Sequence, residues 1–542
     1  MRAGATARVS WTPLIAVALA QVLLAFNVIA LKISIDAIVT SFAASASVVK
    51  SAIIIYSLVV AGCILVGAKL APIYGARRVF RGTVLLFAVA MLTMVLSAHA
   101  GMMIVAQVLA GAASAAMVPT SVVLIADNYS GERQQRALQW LSGARNISLV
   151  PAFLVAGAIA TWSDWRLTYM LLALLAVAIY LLSDRVRMNA GLVPSRARLR
   201  IDRVGFALLL LAVMLIGIGS ESLSDWGVVR AKPAAPFSML SLSPAILVLT
   251  CGVLLVKGLL AWSRKCRGEG IPPLIAPEIF SAGRERSLLF SIFALGAVSS
   301  AVTFLIPLYI EVVQGRNSMH TALALTPFTL AGVTSAVLVG KLRGVFTPKQ
   351  LERYFFLVLA LGLALLGATI RNDWTDSMVV VSLTLTGLGE GALVTLLFKA
   401  MLMHTPRELV EEVEPVCDAT GHLATAVGTA LAGALIVGLL SSSIHRDLAR
   451  DPDIAEALRA HVNLDRVAFV SNDHLRQVLE RSTASAEHVA EAVRINTQAR
   501  LYALKASFFF LAGVALLAFI VSFGAVRRAS KGFEGGSAVR DV

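Results

Sequence analysis

A chain of 542 residues that is 58% hydrophobic and 15% charged, with mean hydropathy +0.81, is too apolar for a soluble domain. The net charge of +15 does not point to nucleic acid, because the arginines sit in short loops between apolar runs. Four cysteines, Cys63, Cys251, Cys266 and Cys417, show no paired spacing, so neither a disulfide framework nor a zinc site is implied.

Apolar runs of about 20 residues, enough to cross roughly 30 Å as helix, recur along the chain. They predict an all-α integral membrane protein whose fourteen spans are 12–34, 47–71, 80–98, 102–126, 137–160, 166–183, 204–222, 243–263, 287–312, 321–340, 354–370, 377–403, 415–440 and 504–526. Short period-2 segments are missing, which argues against a β-barrel. The first run continues to Leu31, too long for a cleaved signal, so it is read as an uncleaved helix. With the N-terminus inside, the inner segments hold 27 Lys and Arg against 5 in the short outer loops. That bias places both termini in the cytoplasm of a bacterial inner membrane.

Seven basic side chains fall at membrane depth: Lys32, Lys50, Lys69, Arg145, Lys257, Lys399 and Lys505. A charge in hydrocarbon is costly, so such groups face a bundle interior, a water-filled path or the interface. Their number predicts a transporter rather than an anchor. In span one, Lys32 follows Asn27 and suggests a polar path. Lys50, Lys69, Lys257, Lys399 and Lys505 are expected to snorkel. Arg145-Asn146 lies a third of the way into span five. Arg145 stays charged and suits coupling, substrate contact or a structural ion pair. Small residues recur at helical spacing in 110–114 and 421–438, where they permit close helix packing.

The intramembrane acids are Glu221, Glu311, Glu390 and Asp418, with Asp36 at an outer edge. Glu390 sits in Gly387-Leu388-Gly389-Glu390-Gly391, where the glycines allow close backbone approach and a local break, so it is the leading proton or cation site. Asp418 and His422 are four apart, about 40° around a helix, and can share a hydrogen bond as a proton relay. The segment 441–503 is polar throughout. Stretches 453–460, 473–481 and 486–502 read as short amphipathic helices, a solvated external cap or a docking surface for a periplasmic adaptor. No Walker loop, ATPase signature or metal-ligand cluster appears, so the chain is read as neither an ATP-driven pump nor an enzyme. No cofactor is expected beyond a proton gradient as energy source.

A weak internal repeat, 66–70 against 339–342, fits the build of secondary transporters. The chain resembles the fourteen-helix drug:proton antiporter branch of the major facilitator superfamily over nearly its whole length. Leu70 through Phe80, with Gly75, Arg77 and Arg78, is similar to that family's Gly-x-Leu-x-Asp-x-x-Gly-Arg-Arg signature, a conformational gate. Val108 through Ser121, Gly131-Glu132-Arg133, Trp165-Arg166, Asp202 through Gly205, Asp225-Trp226 and Pro307-Leu308-Tyr309 follow in the family's order. The departures are specific. The signature's Asp falls on Pro72, the span-four Arg on Gln107, and the span-one Asp near Val22. The span-five antiporter motif keeps Pro151 but loses most glycines.

The resemblance implies a major facilitator fold of two six-helix bundles plus two inserted helices. The expected divisions are 1–203, an inserted hairpin 204–263, and 264–542 including 441–503. It implies alternating access, with proton-coupled efflux of a small amphipathic or cationic compound as the first expectation. A transporter of an anionic metabolite and a non-transporting scaffold or sensor are the alternatives. The candidate coupling residues are Glu390, Asp418 and His422. The candidate substrate or coupling contacts are Arg145, Asn146, Asn27, Lys32, Glu311 and Gln107.

Overall fold

Inside hydrocarbon each backbone N–H must find its partner within the protein, so long apolar runs become helices. A computed structural model describes residues 11–184, 202–228, 230–233, 235–237, 241–280, 283–371, 373–448 and 486–534. Within them, fourteen helices or broken helices are long and apolar enough to cross a membrane.

The first half contains α1 (Thr12–Ile33), the short α2 (Ile35–Phe42), α3 (Ala46–Tyr74), α4 (Ala76–Val95) and α5 (Ala100–Asn128). Its fifth span is broken into α6 (Glu132–Ile147) and α7 (Leu149–Trp162), and α8 (Arg166–Ser183) completes it. Pro151 lies in the first turn of α7; it has no N–H to continue the ladder, which accounts for the break. Next come α9 (Arg203–Glu221) and α11 (Pro244–Gly268), joined through the one-turn α10 (Leu223–Trp226).

The second half contains α12 (Gly283–Pro307), α13 (Ser318–Leu342), α14 (Pro348–Thr369), α15 (Ser377–His404), α16 (Val410–Leu448) and α17 (Ala486–Glu534). After Pro307 the chain widens into a π-helix, Leu308–Val313. The expected separate helix over 486–502 is corrected: it is the opening of the continuous α17. The expected helices over 453–460 and 473–481 lie outside the described residues.

Within each half the helices pack closely, α3 on α5, α4 on α5 and α8, α12 on α16, α14 on α15 and α17. The halves meet where α3 packs on α16 and α7 on α13; α9 and α11 pack on each other and α9 rests against α3 and α16.

The two ends of this seam differ. At the end carrying Ser34 and Ser318, the halves touch. A Cβ at Gly157 would stand 2.8 Å from Ala322 Cβ and 3.0 Å from the Ser318 carbonyl oxygen. Thr161 Oγ1 accepts from the Met319 N–H at 2.9 Å, and Glu311 Oε2 accepts from the Asp36 N–H at 3.1 Å. At the basic end, which carries Arg77, Arg133 and Arg284, α6 packs mainly on α1, α5 and α7 of its own half. The seam is therefore shut at one end and splayed along α6 at the basic end, where residues 273–276 still bridge α3 and α16.

Candidate functional site

Between the halves lies a cavity of about 290 Å³, lined by α1, α3, α5, α6, α7, α12, α13, α15 and α16. Arg145 lines it yet is exposed, so the cavity opens towards the basic end. Its body is apolar, with Leu24, Val28, Phe153, Phe328, Val333 and Val394 on the wall.

Two groups of polar side chains interrupt that wall. Lys32, in the last turn of α1, is 6% exposed. Its Nζ donates to Thr303 Oγ1 at 2.7 Å, and Thr303 Oγ1 is 2.8 Å from the Ser299 carbonyl oxygen, one turn back on α12. Ser299 Oγ donates to Glu390 Oε1 at 2.5 Å. The charges of Lys32 and Glu390 act on each other across the seam. A cation from the first half and an anion from the second are thus each held by a hydroxyl of α12, one turn apart. Buried charges persist where they are hydrogen-bonded and face an opposite charge, and here each is hydrogen-bonded to α12 and within the field of the other.

The glycines around Glu390 bring the helices together. Gly389 packs on the Leu359 backbone, where a Cβ would stand 2.8 Å from the nitrogen. Gly387 and Gly391 meet the carbonyl oxygens of Phe328 and Gly332 on α13 so closely that a Cβ has no room. Glu390 is held on a close-packed helix rather than on a local break: α15 runs unbroken through it.

The second group lies nearer the mouth. Arg145 and Asn146 of α6 line the cavity opposite His422 of α16. Asp418 and Glu414, on the same helix as His422, feel the Arg145 charge. The expected hydrogen bond between Asp418 and His422 is corrected. His422 instead sets its ring edge-on to Tyr56, with centroids 6.2 Å apart and planes at 68°. Tyr56 Oη is 3.0 Å from Ser114 Oγ.

Three expected substrate contacts lie elsewhere. Asn27 Nδ2 donates to Gln107 Oε1 at 3.3 Å, and both are buried behind the wall, with Asn27 Oδ1 left without a partner. Glu311 is 0% exposed, on the π-helix at the shut end, and accepts from the Asp36 backbone. Amide and carboxylate types could be picked from the sequence, but their facing on a helix could not. The lining residues missed by sequence reasoning are hydroxyls and aromatics, chiefly Ser299, Thr303, Tyr56 and Phe328. Such residues are common on apolar faces, and nothing local marks them.

The gate-motif residues Leu70, Gly75, Arg77 and Arg78 form the α3–α4 turn at the basic end, with Gly75 at φ +88°. Arg77 donates to the Asp184 carbonyl at 2.7 Å, and Arg81 pairs with the Asp184 carboxylate. Both contacts stay within the first half.

Of the other basic residues, Lys257 and Lys399 are exposed and Lys505 is half-buried. The snorkelling expected of Lys50 is corrected: it is 4% exposed, its stem against Gly433, within the field of Glu221 and Asp225. Lys69 donates to the Pro273 carbonyl at 2.8 Å. Among the described residues, no group of three His, Cys, Asp or Glu side chains is placed to hold a metal ion.

The family model described as Major Facilitator Superfamily matches residues 17–439. The probable actinorhodin transporter of Streptomyces coelicolor is 25% identical over 423 residues, covering 76% of this chain and 70% of that protein. The lincomycin resistance protein of Streptomyces lincolnensis is 25% identical over 340 residues, covering 62% and 66%. The drug efflux pump JefA of Mycobacterium tuberculosis is 23% identical over 435 residues, covering 77% and 80%. Among solved structures, a bacterial homolog of the human lysosomal transporter Spinster, inward-facing and unoccupied, superposes with a TM-score of 0.60 at 13% identity. That likeness covers 97% of this chain and 99% of the other.

Proposed function

This chain belongs to the major facilitator superfamily, and from that premise we propose that it exports a small amphipathic compound in exchange for protons by alternating access. The observation that carries this reading is that Lys32 and Glu390, from opposite halves, line one cavity and are held there by the Thr303 and Ser299 hydroxyls of α12. A carboxylate there can exchange a proton for a substrate contact, and any rocking of the halves changes its distance from Lys32. The chain lacks the family's span-one acid and span-four arginine, so Glu390 is the coupling acid, with no cofactor beyond the proton gradient. Asp418 and His422, beside Arg145 at the mouth, are the second candidates for proton transfer. The efflux and resistance relatives favour export, and their low identity leaves the substrate open.

The positive-inside rule assigns the basic end to the cytoplasm of a bacterial inner membrane. On that orientation both termini are cytoplasmic and the cavity is open to the cytoplasm. Arg145, exposed in the mouth, favours a second reading in which the cargo is an anionic metabolite.

The test is proton movement in proteoliposomes carrying an imposed pH gradient, across cationic, neutral and anionic compounds. Substrate-evoked proton flux that is lost in Glu390→Gln is the expected result. Flux unchanged in that variant would move coupling to Asp418 and His422. A response restricted to anions would favour the second reading.

A further inference from the structure

The export reading leaves the cargo unnamed, and the charges in the cavity narrow it. Lys32 and Glu390 come from opposite halves and line one apolar chamber, each the main counter-charge of the other. The other ionisable groups facing the cavity lie nearer its mouth, away from this pair. Arg145 lies opposite Asp418 and Glu414, and His422 stacks edge-on against Tyr56.

A guest with a single charge upsets this balance. A cation seated on Glu390 takes the counter-charge of Lys32 and faces an ammonium of its own sign. An anion seated on Lys32 does the same to Glu390. In a low-dielectric chamber a buried charge without its partner is costly, so either guest binds at a penalty or moves a proton. A cation then drives one off Lys32, and an anion brings one onto Glu390. A guest carrying both charges satisfies both side chains and moves none. We infer that the cavity selects zwitterionic amphiphiles, with the anionic group on Lys32, the cationic group on Glu390 and the apolar body against Leu24, Phe153 and Phe328. Because the two anchors belong to different halves, such a guest also ties the halves together.

The test uses the full-length protein in detergent and three forms of one aromatic scaffold. The probes are a zwitterionic fluoroquinolone, its methyl ester (a cation) and its N-acetyl derivative (an anion). Titration calorimetry in two buffers of different ionisation enthalpy reads both affinity and protons exchanged. The zwitterion is expected to bind roughly ten-fold tighter than either derivative. It should exchange no proton, whereas the ester should release one and the N-acetyl form take one up.

In Lys32→Met the ester should bind at least as well as the zwitterion, and in Glu390→Gln the N-acetyl form should. Lys32→Gln, which keeps a polar head, serves if Lys32→Met does not fold. Equal or absent binding of the three forms, or a preference unchanged in both variants, overturns the inference. The export reading stands apart from it. Proton-coupled flux without charge preference would sink the inference alone, and charge preference without coupled flux would sink the export reading alone.

Discussion

Arg284 and Glu352 close an ion pair of 2.6 Å near the basic end of the second half, with 15% and 3% of their side chains exposed. Deleting one partner strands the other charge in a buried site, which costs about 3–5 kcal/mol. Glu352→Ala should therefore lower the thermal unfolding midpoint in detergent clearly, while Arg284→Met with Glu352→Leu recovers most of the loss. An unchanged midpoint in the single variant would show that the pair is relaxed by solvent. The same pairing rule explains what could be read at this scale and what could not. Glu390 was legible because three glycines flank an acid in an apolar run, a pattern that needs close helix contact. Its link to Lys32 was not, since the Thr303 that accepts the Lys32 hydrogen bond lies 271 residues away in sequence. Asn27 and Gln107 were legible as polar but not as hydrogen-bonded to each other, for the same reason.

Helix positions were the most legible elements, because about 20 apolar residues in hydrocarbon have little choice but a helix. The break between α6 and α7 has its signal in Pro151, whereas the π-helix at Leu308–Val313 has no local signal beyond Pro307. The connection between α11 and α12 is a packed strap, which its sequence does not mark. Residues 273–277 are buried, and three elements hold their backbone. Lys69 of α3 donates to the Pro273 carbonyl at 2.8 Å. Asp202, at the start of α9, accepts from the Leu274 N–H at 3.3 Å. Glu412 of α16 accepts from the Ala276 N–H at 3.0 Å. Asp202 also accepts from the Gly205 N–H at 2.8 Å and the Trp262 indole at 3.1 Å. Asp202→Ala leaves those donors without their acceptor, at about 1–3 kcal/mol for a buried group. Hydrogen exchange at the Leu274 amide should then quicken by one or two orders of magnitude, each factor of ten being about 1.4 kcal/mol. If that exchange is unchanged while the protein remains folded, the strap is held by packing and not by Asp202.

For the whole molecule, alternating access requires that the shut end open as the basic end closes, so a wedge at one end should be felt at the other. Gly157 of α7 offers the place for one, because a Cβ there meets Ala322 and the Ser318 carbonyl across the seam. Overpacking of this kind costs about 1–3 kcal/mol. The strain is confined to the state in which this end is shut, so Gly157→Ala should favour the opposite state. A bias of about 1.4 kcal/mol changes the ratio of the two states ten-fold. Spin labels at the exposed Trp162 and Leu323 would sit on either side of the shut seam, and labels at Arg133 and Lys341 across the splayed one. In the variant the first distance should lengthen while the second shortens, in matching populations. Gly82→Ala is the control, since nothing lies within 4 Å of a Cβ there. A lengthened first distance with no change in the second would mean that α7 peels from α13 locally, and the two ends would not be coupled through rigid halves. Matched changes would place the fulcrum between them, at the depth where Lys32, Thr303, Ser299 and Glu390 lie at the seam, and would make that group the part of the molecule whose geometry each rocking step must alter.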